Sequence, residues 1–380
     1  MTPAYAIPFN RPEFVGREAQ YMNQALAEGH ISGDGQFSAK CHAFLEAELG
    51  VAKALLTTSC THALEMAALM LDLDSDAEIV LPTFTFVSCA NAFALRGAKL
   101  VFADSRPDTL NLDERLLPDL VTPQTKAIVT MHYGGVGCEM DSIQRTAAGV
   151  GAAIIEDNAH GLFGRYRGCN LGTFGRFATL SFHETKNFTC GEGGALLMND
   201  PADVERAEIL REKGTNRSRF FRGLTDKYTW VDVGSSSLPS ELLAAVFWGQ
   251  LEHHEMVQAR RLAIWEAYRL GLSDWAAEEG VDLPLVPDHC QHTSHIFHLL
   301  LPSESSRQRL IAHLGERGIL GVFHYLPLHL SPMGRKRGGQ IGQCPVAEDI
   351  SSRLIRLPLY YGLGADEQDR VISAIRDFQP

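Results

Sequence analysis

Residues 152–160 read AAIIEDNAH, and residues 177–196 read FATLSFHETKNFTCGEGGAL. Each begins as a short apolar run and ends in polar residues. AAIIED and FATLSF have the length and composition of strands buried on both faces. Outward from them the same pattern recurs. KALLTT (53–58), EIVLP (78–82), KLVFAD (99–104), KAIVTMH (126–132) and ALLMN (195–199) are further strand-like runs. THALEMAALML and the stretch from Thr85 to Leu95 read as helices between them. Short apolar runs separated by helices predict an α/β fold, a large and mostly parallel sheet covered on both faces.

The strands end in Thr57-Thr58, Pro82, Asp104, His132, Asp157 and Ser181. Ligands of open α/β sheets bind beyond the carboxyl ends of their strands. Any one of these polar residues could equally cap the next helix. From about 239 to 271 the pattern becomes long and helical. After Gly280, IFHLLLP and VFHYLP are strand-like around a helix at 303–317. A chain of 380 residues suggests more than one core. The expected division is a large domain over 21–254 and a smaller α+β domain over 255–380, with residues 1–20 packing against the latter.

Composition narrows the class. The formal charge is −12, with 34 Lys and Arg against 46 Asp and Glu. That balance argues against a nucleic-acid binder. No apolar run reaches membrane-span length, and the start MTPAYAIPFNRPEF lacks a signal-peptide pattern. A cytoplasmic location without membrane contact is expected. None of the eight cysteines is paired as CxxC, so reduced thiols are expected rather than disulfides or a metal site. In HTSHIFH (292–298), a strand would place His292 and His298 on one face and His295 on the other.

Lys186 follows the strand 177–182 and precedes the GEGG turn, Gly191 to Gly194. A loop lysine is ordinarily a solvated charge. Four other elements alter that reading. Asp157 ends a buried run and could hold a pyridinium nitrogen protonated, the state in which pyridoxal phosphate (PLP) acts as an electron sink. His160 could reach that cofactor's phenolic oxygen. Ser59, Cys60 and Thr61 stand where a strand turns into a helix, a place suited to phosphate, and Ser181 could add a hydroxyl. Phe86 lies just past a strand end, where an aromatic face could cover a ring. No GxGxxG follows an early strand, which counts against a nicotinamide oxidoreductase.

With these residues in view, the sequence resembles the DegT/DnrJ/EryC1/StrS family of sugar aminotransferases over nearly its whole length. GHISGDGQF, LPTFTFVSCANAFALRGAKLVFAD, IIEDNAHGLFGRYRG, LSFHETKN, GEGGAL and YLPLH carry the resemblance. It implies the fold-type-I architecture of PLP enzymes. It also implies Lys186 as the Schiff-base lysine, Asp157 at the pyridine nitrogen and His160 at the phenolic oxygen. Ser181 and the Ser59–Thr61 turn are implied at the phosphate, and Phe86 on the ring. Dehydratases of the family carry histidine at the lysine position, so Lys186 implies transamination.

Many members have a G-x-N-x-R segment whose asparagine reaches the neighbouring subunit's phosphate. Here GSSSL puts Ser236 at the asparagine and Leu238 at the arginine, so that contact is expected to differ. FHETKN, REKGTNRSRFFRG, DKYTW and VFHYLPLH look most like the subgroup acting on dTDP-4-keto-6-deoxyglucose at C4. That resemblance implies a dTDP-linked keto sugar, L-glutamate as donor, and a homodimer with its site at the interface. The product would be dTDP-4-amino-4,6-dideoxygalactose for surface polysaccharide of the enterobacterial common antigen type. A C3 aminotransferase, or one using another nucleotide-linked keto sugar, is the alternative; a PLP-fold binding protein without catalysis is the third. His329 either lines the sugar site or serves structure. No role is assigned to His183 or Glu184.

Overall fold

The structure is a computed structural model, and it describes residues 5–380. Twelve strands occur along the described chain. They are β1 (Lys53–Thr57), β2 (Glu78–Pro82), β3 (Lys99–Ala103), β4 (Thr125–Met131), β5 (Ala153–Asp157), β6 (Arg165–Tyr166), β7 (Cys169–Asn170), β8 (Phe177–Ser181), β9 (Gly194–Met198), β10 (Cys290–Gln291), β11 (Phe297–Leu300) and β12 (Leu354–Leu357). Seven of them form one sheet in the order β1-β9-β8-β5-β4-β2-β3. It is parallel from β8 to β3, while β9 runs antiparallel to both β8 and β1.

Alternation along the strands explains why the sheet is covered twice. Leu55, Ile79, Leu81, Val129, Ile155 and Leu196 point into one core. Their chain neighbours Leu56, Leu197 and Ala195, and Val80, Ile128 and Ile154, point into two cores on the opposite face. The strand IIED shows the same rule in its polar end. Asp157 faces one side, and Glu156 faces the other. The fully buried Glu156 carboxylate accepts N–H bonds from Gly172 (2.8 Å), Phe174 (2.7 Å) and Gly175 (2.7 Å), and pairs with His132 Nε2 at 3.0 Å. Three amide donors and an imidazole satisfy a carboxylate that burial would otherwise penalise.

A further core lies around the antiparallel pair β11–β12. It includes Phe297, Leu299, Ile355 and Leu357 from the strands, and apolar residues of the helices His254–Glu279, Glu304–Glu316 and Ala365–Arg376. Ile7 lies in this core and forms a parallel bridge with Ile319.

Three local readings differ from the sequence expectations. The long helical stretch is two helices, Glu241–Leu251 and His254–Glu279. At the break, His254 Nδ1 donates to the Leu251 carbonyl at 3.0 Å. VFHYLP is not a strand: Val322 bridges Arg356, and the chain then turns its His324 and Tyr325 rings toward Tyr133. His292 and His298 do not share a strand face, because β11 begins only at Phe297 and Ser294 has a positive φ of 51°. His292 packs on Trp265 and His298 on Tyr133.

Among the described residues, no helix is long and apolar enough to cross a membrane. All eight cysteines are free, and six of them are buried.

Candidate active site

The carboxyl ends of β1, β2, β5 and β8 meet around Lys186. The lysine lies in the loop after β8, with its N–H bonded to the His183 carbonyl at 2.9 Å. The loop is fastened on both sides of it. Glu184 N–H bonds to Gly191 O (2.9 Å), and Glu184 O accepts Asn10 Nδ2 (3.0 Å). His183 Nδ1 pairs with Thr185 Oγ1 at 2.9 Å, which gives this histidine a place in the turn. Asn187 donates to the Thr293 carbonyl (2.8 Å) and bonds to His295 Nδ1 (2.8 Å). Burial pushes the Lys186 amine below the usual lysine range, opposed by the negative charge of Asp157. A lysine held this way is more readily the neutral amine that nucleophilic and proton-transfer chemistry requires.

Asp157 is buried at the end of β5. Its Oδ1 accepts the Ala159 N–H (3.1 Å), and its Oδ2 accepts the Cys89 thiol (2.7 Å). Cys89 in turn lies 3.2 Å from Thr85 Oγ1. Nothing in the sequence selects Cys89, which is the second residue of the short helix Ser88–Ala94 after β2. His160 is buried and packs against His295, with ring centroids 4.0 Å apart and the rings tilted by 31°. Gly134 N–H reaches its Nδ1 at 3.4 Å. Burial and the nearby Lys186 charge push His160 well below the ordinary imidazole range, so it is neutral near pH 7. Asn187, His295, Tyr133 and His324 therefore support the site; of these only His295 drew notice in the sequence, as a strand residue without a role in the site.

The turn at 59–61 is the N-terminus of the helix Cys60–Met70. Ser59 is the N-cap, and its hydroxyl accepts the His62 N–H at 3.1 Å. The Thr61 hydroxyl pairs with Ser88 (2.7 Å), and the Cys60 thiol faces Thr179 (3.5 Å). These side chains face inward, so an anion here would meet the backbone amides of Cys60 and Thr61, which lack intrahelical acceptors. β9 approaches this turn closely enough to require glycine. A Cβ on Gly194 would lie 2.4 Å from Cys60 N. Ser181 ends β8 and is half-buried.

Other expected residues are placed differently from one another. Phe86 is 55% exposed at the mouth of this region, 6.5 Å from the Tyr325 ring. Ser236 is exposed and bridges Glu212; the carbonyl of Ser237 beside it accepts the Thr58 N–H at 2.9 Å. His329 is fully buried with both ring nitrogens engaged, Nδ1 by Thr83 Oγ1 (2.6 Å) and Nε2 by Glu348 (2.9 Å). It ties the 328–330 turn to β2 and offers no free nitrogen to a sugar. The structural alternative is the one this geometry favours.

Residues 12–376 match the DegT/DnrJ/EryC1/StrS aminotransferase family. The chain belongs to that family. Spore coat polysaccharide biosynthesis protein SpsC of Bacillus subtilis is 31% identical over 382 residues, covering 98% of this chain and 96% of its own. GDP-perosamine synthase of Escherichia coli O157:H7 is 28% identical over 378 residues, with 98% of each chain covered. Among solved structures, the aminotransferase TlmJ from Streptoalloteichus hindustanus superposes with a TM-score of 0.90 at 28% identity, covering 98% of each chain. The expected fold is thereby established: an α/β sheet architecture shared with PLP-dependent sugar aminotransferases. The enzyme is a PLP-dependent sugar aminotransferase, taking a keto sugar and an amino donor.

The residues present suit that cofactor. A desolvated amine, a buried carboxylate with its second oxygen held by a thiol, and two unpaired helix-terminal amides are the donor set that PLP's aldehyde, ring nitrogen and phosphate require. Cys89→Ala removes the donor to Asp157 Oδ2. We expect PLP affinity, measured by equilibrium dialysis of the apoprotein, to fall about fivefold, corresponding to roughly 1 kcal/mol for one hydrogen bond. Cys89→Ser is expected to restore most of it. Equal affinity in Cys89→Ala would show that the thiol does not position Asp157.

Proposed function

We propose that the enzyme transfers the amino group of L-glutamate to C4 of dTDP-4-keto-6-deoxy-D-glucose. The product is dTDP-4-amino-4,6-dideoxy-D-galactose, destined for surface polysaccharide of the enterobacterial common antigen type. The observation carrying transamination is the placement of a desolvated Lys186 beside Asp157. The choice of C4 and dTDP rests on the stretches FHETKN, REKGTNRSRFFRG, DKYTW and VFHYLPLH. A second reading, a GDP-linked keto sugar, is favoured by the similarity to GDP-perosamine synthase over 98% of the chain.

PLP, when bound, supplies a ring that accepts the electron pair released at the donor carbon. Lys186 Nζ takes the proton from that carbon in the first half-reaction. In the second half it delivers a proton to the sugar carbon that receives nitrogen. Asp157 would hold a proton at the ring nitrogen, and neutral His160 would hydrogen-bond the phenolic oxygen. The amides at Cys60 and Thr61, with the Ser181 hydroxyl, would hold the phosphate, and Phe86 would cover the ring. Ser236 takes the place of the asparagine that reaches a partner's phosphate. A homodimer is the proposed assembly. Phe221, Leu224, Tyr228, Trp230 and Val233 are exposed together on one segment, and a second copy would cover them.

The test is incubation with L-glutamate and either dTDP-4-keto-6-deoxyglucose or its GDP- and UDP-linked counterparts, followed by NMR assignment of the product. Expected is a dTDP-linked 4-amino sugar of galacto configuration, formed by a protein that sediments as a dimer. Amination at C3, turnover only with a GDP- or UDP-linked sugar, or full activity as a monomer would overturn the corresponding part.

A further inference from the structure

Arg356 has no part in the reading above, yet it stands at the edge of the same site. It lies in β12 directly opposite His298 in β11. Opposite residues of an antiparallel pair project from the same face, so the two side chains are neighbours. Arg356 Nη2 donates to the Phe323 carbonyl at 2.9 Å, and one face of the guanidinium lies 4.6 Å from the Phe9 ring centroid. Its Nε is buried without a hydrogen-bond partner. So is Nδ1 of His298. Two orphaned ring or guanidinium nitrogens on neighbouring side chains are unusual, because buried polar atoms are ordinarily satisfied.

Charge points the same way. Burial pushes Arg356 below the usual guanidinium range, and only the phenols of Tyr133 and Tyr325 oppose this. No carboxylate among the described residues neutralises it. Burial, and then the charge of Arg356, push His298 down to about 3, so it is a neutral ring able to donate through Nδ1. The positive charge of Arg356 is also near enough to lower Lys186, His160 and His324. A desolvated cation without a counter-charge is costly, and an anionic ligand would supply that charge beside the reacting amine.

We propose that Arg356, with His298 beside it, binds a carboxylate of the amino donor. The inference rests on Lys186 as the reacting amine. A planar carboxylate matches the fork of one guanidinium and a single neutral donor. A diphosphate carries more charge than this pair can answer. The donor's α-carboxylate is also one bond from the carbon that loses its proton, whereas a sugar diphosphate is remote from the reacting carbonyl.

The test compares wild type with Arg356→Gln as holoenzymes. Glutarate, a dicarboxylate with no amine, is titrated by calorimetry. The two half-reactions are then followed separately, with L-glutamate alone and with keto sugar alone on the aminated enzyme. Expected is a loss of glutarate affinity and of the donor half-reaction's kcat/KM of about 10- to 100-fold, the range for a charge-assisted hydrogen bond. The sugar half-reaction is expected to be unchanged. Undiminished glutarate binding and donor kinetics overturn the proposal. A defect confined to the sugar half-reaction also overturns it, assigning the guanidinium to the diphosphate. Retained visible absorbance of lysine-bound cofactor in both proteins keeps the Lys186 reading intact, so a negative donor result counts against Arg356 alone. Should Arg356→Gln fail to fold, His298→Leu tests the same site, with glutarate binding weakened about fivefold expected and unchanged binding overturning it.

Discussion

Lys186→Ala is expected to lower turnover by at least about 10³-fold, within the range that positioned acid–base groups contribute, and to abolish the visible absorbance of the lysine-bound cofactor. The argument is chemical before it is structural. Proton transfer at a carbon needs a base with a free electron pair, and an ordinary solvated lysine near pH 7 is almost wholly protonated. Burial lowers the Lys186 amine, while Asp157 raises it and limits the shift. The loop bonds from Glu184, Asn187 and the Lys186 N–H hold the backbone, so removing the side chain leaves the frame in place. The variant should therefore fold and still hold the cofactor's phosphate. Added methylamine should recover part of the lost rate, because it replaces a missing amine and not a missing fold. Single-turnover measurements with L-glutamate decide the matter. A variant that keeps wild-type rate and colour would remove Lys186 from the chemistry.

The sheet was legible because its signal is local. A strand buried on both faces reads as a short apolar run, and the seven runs each correspond to a strand of the sheet. Asp157 and Lys186 were legible because each ends such a run. What was not legible is whatever depends on residues distant in the chain. Glu156 and Asp157 are adjacent carboxylates, but only the fold shows that one is spent on the amides of residues 172–175 while the other faces the thiol of Cys89. His329 sits in a motif-like PLH, yet Thr83 and Glu348 use both its nitrogens. Arg356 reads as one more arginine of a strand. Its distinction is the lack of a partner, and that can be counted only once its neighbours are placed. At the 59–61 turn, side-chain direction was likewise illegible. Ser59 caps the helix and the Thr61 hydroxyl turns inward to Ser88, so the amides, not the side chains, are left for a ligand.

Asp157→Asn is expected to reduce kcat by about 10²- to 10³-fold, as when a group aimed at developing charge is removed from a preorganised site. The substitution keeps the volume of the side chain and removes its charge, which separates electrostatics from packing. It also disturbs the local bonding in a defined way. Asp157 accepts two hydrogen bonds, from the Ala159 N–H and the Cys89 thiol. An amide has one oxygen to offer, so one of these donors would face an NH₂ group and lose its acceptor. Asparagine cannot hold the ring nitrogen protonated by charge, so electron withdrawal from the donor carbon would weaken while the Cys60 and Thr61 amides proposed for the phosphate are untouched. The expected pattern is thus a fall in kcat in both half-reactions, with PLP still bound and Lys186 still linked to it. That pattern differs from the Lys186 variant, which loses the link, and from the Arg356 variant, which is impaired with one substrate only. Wild-type kcat in Asp157→Asn would mean that the carboxylate serves the fold and that the ring nitrogen is governed by another group.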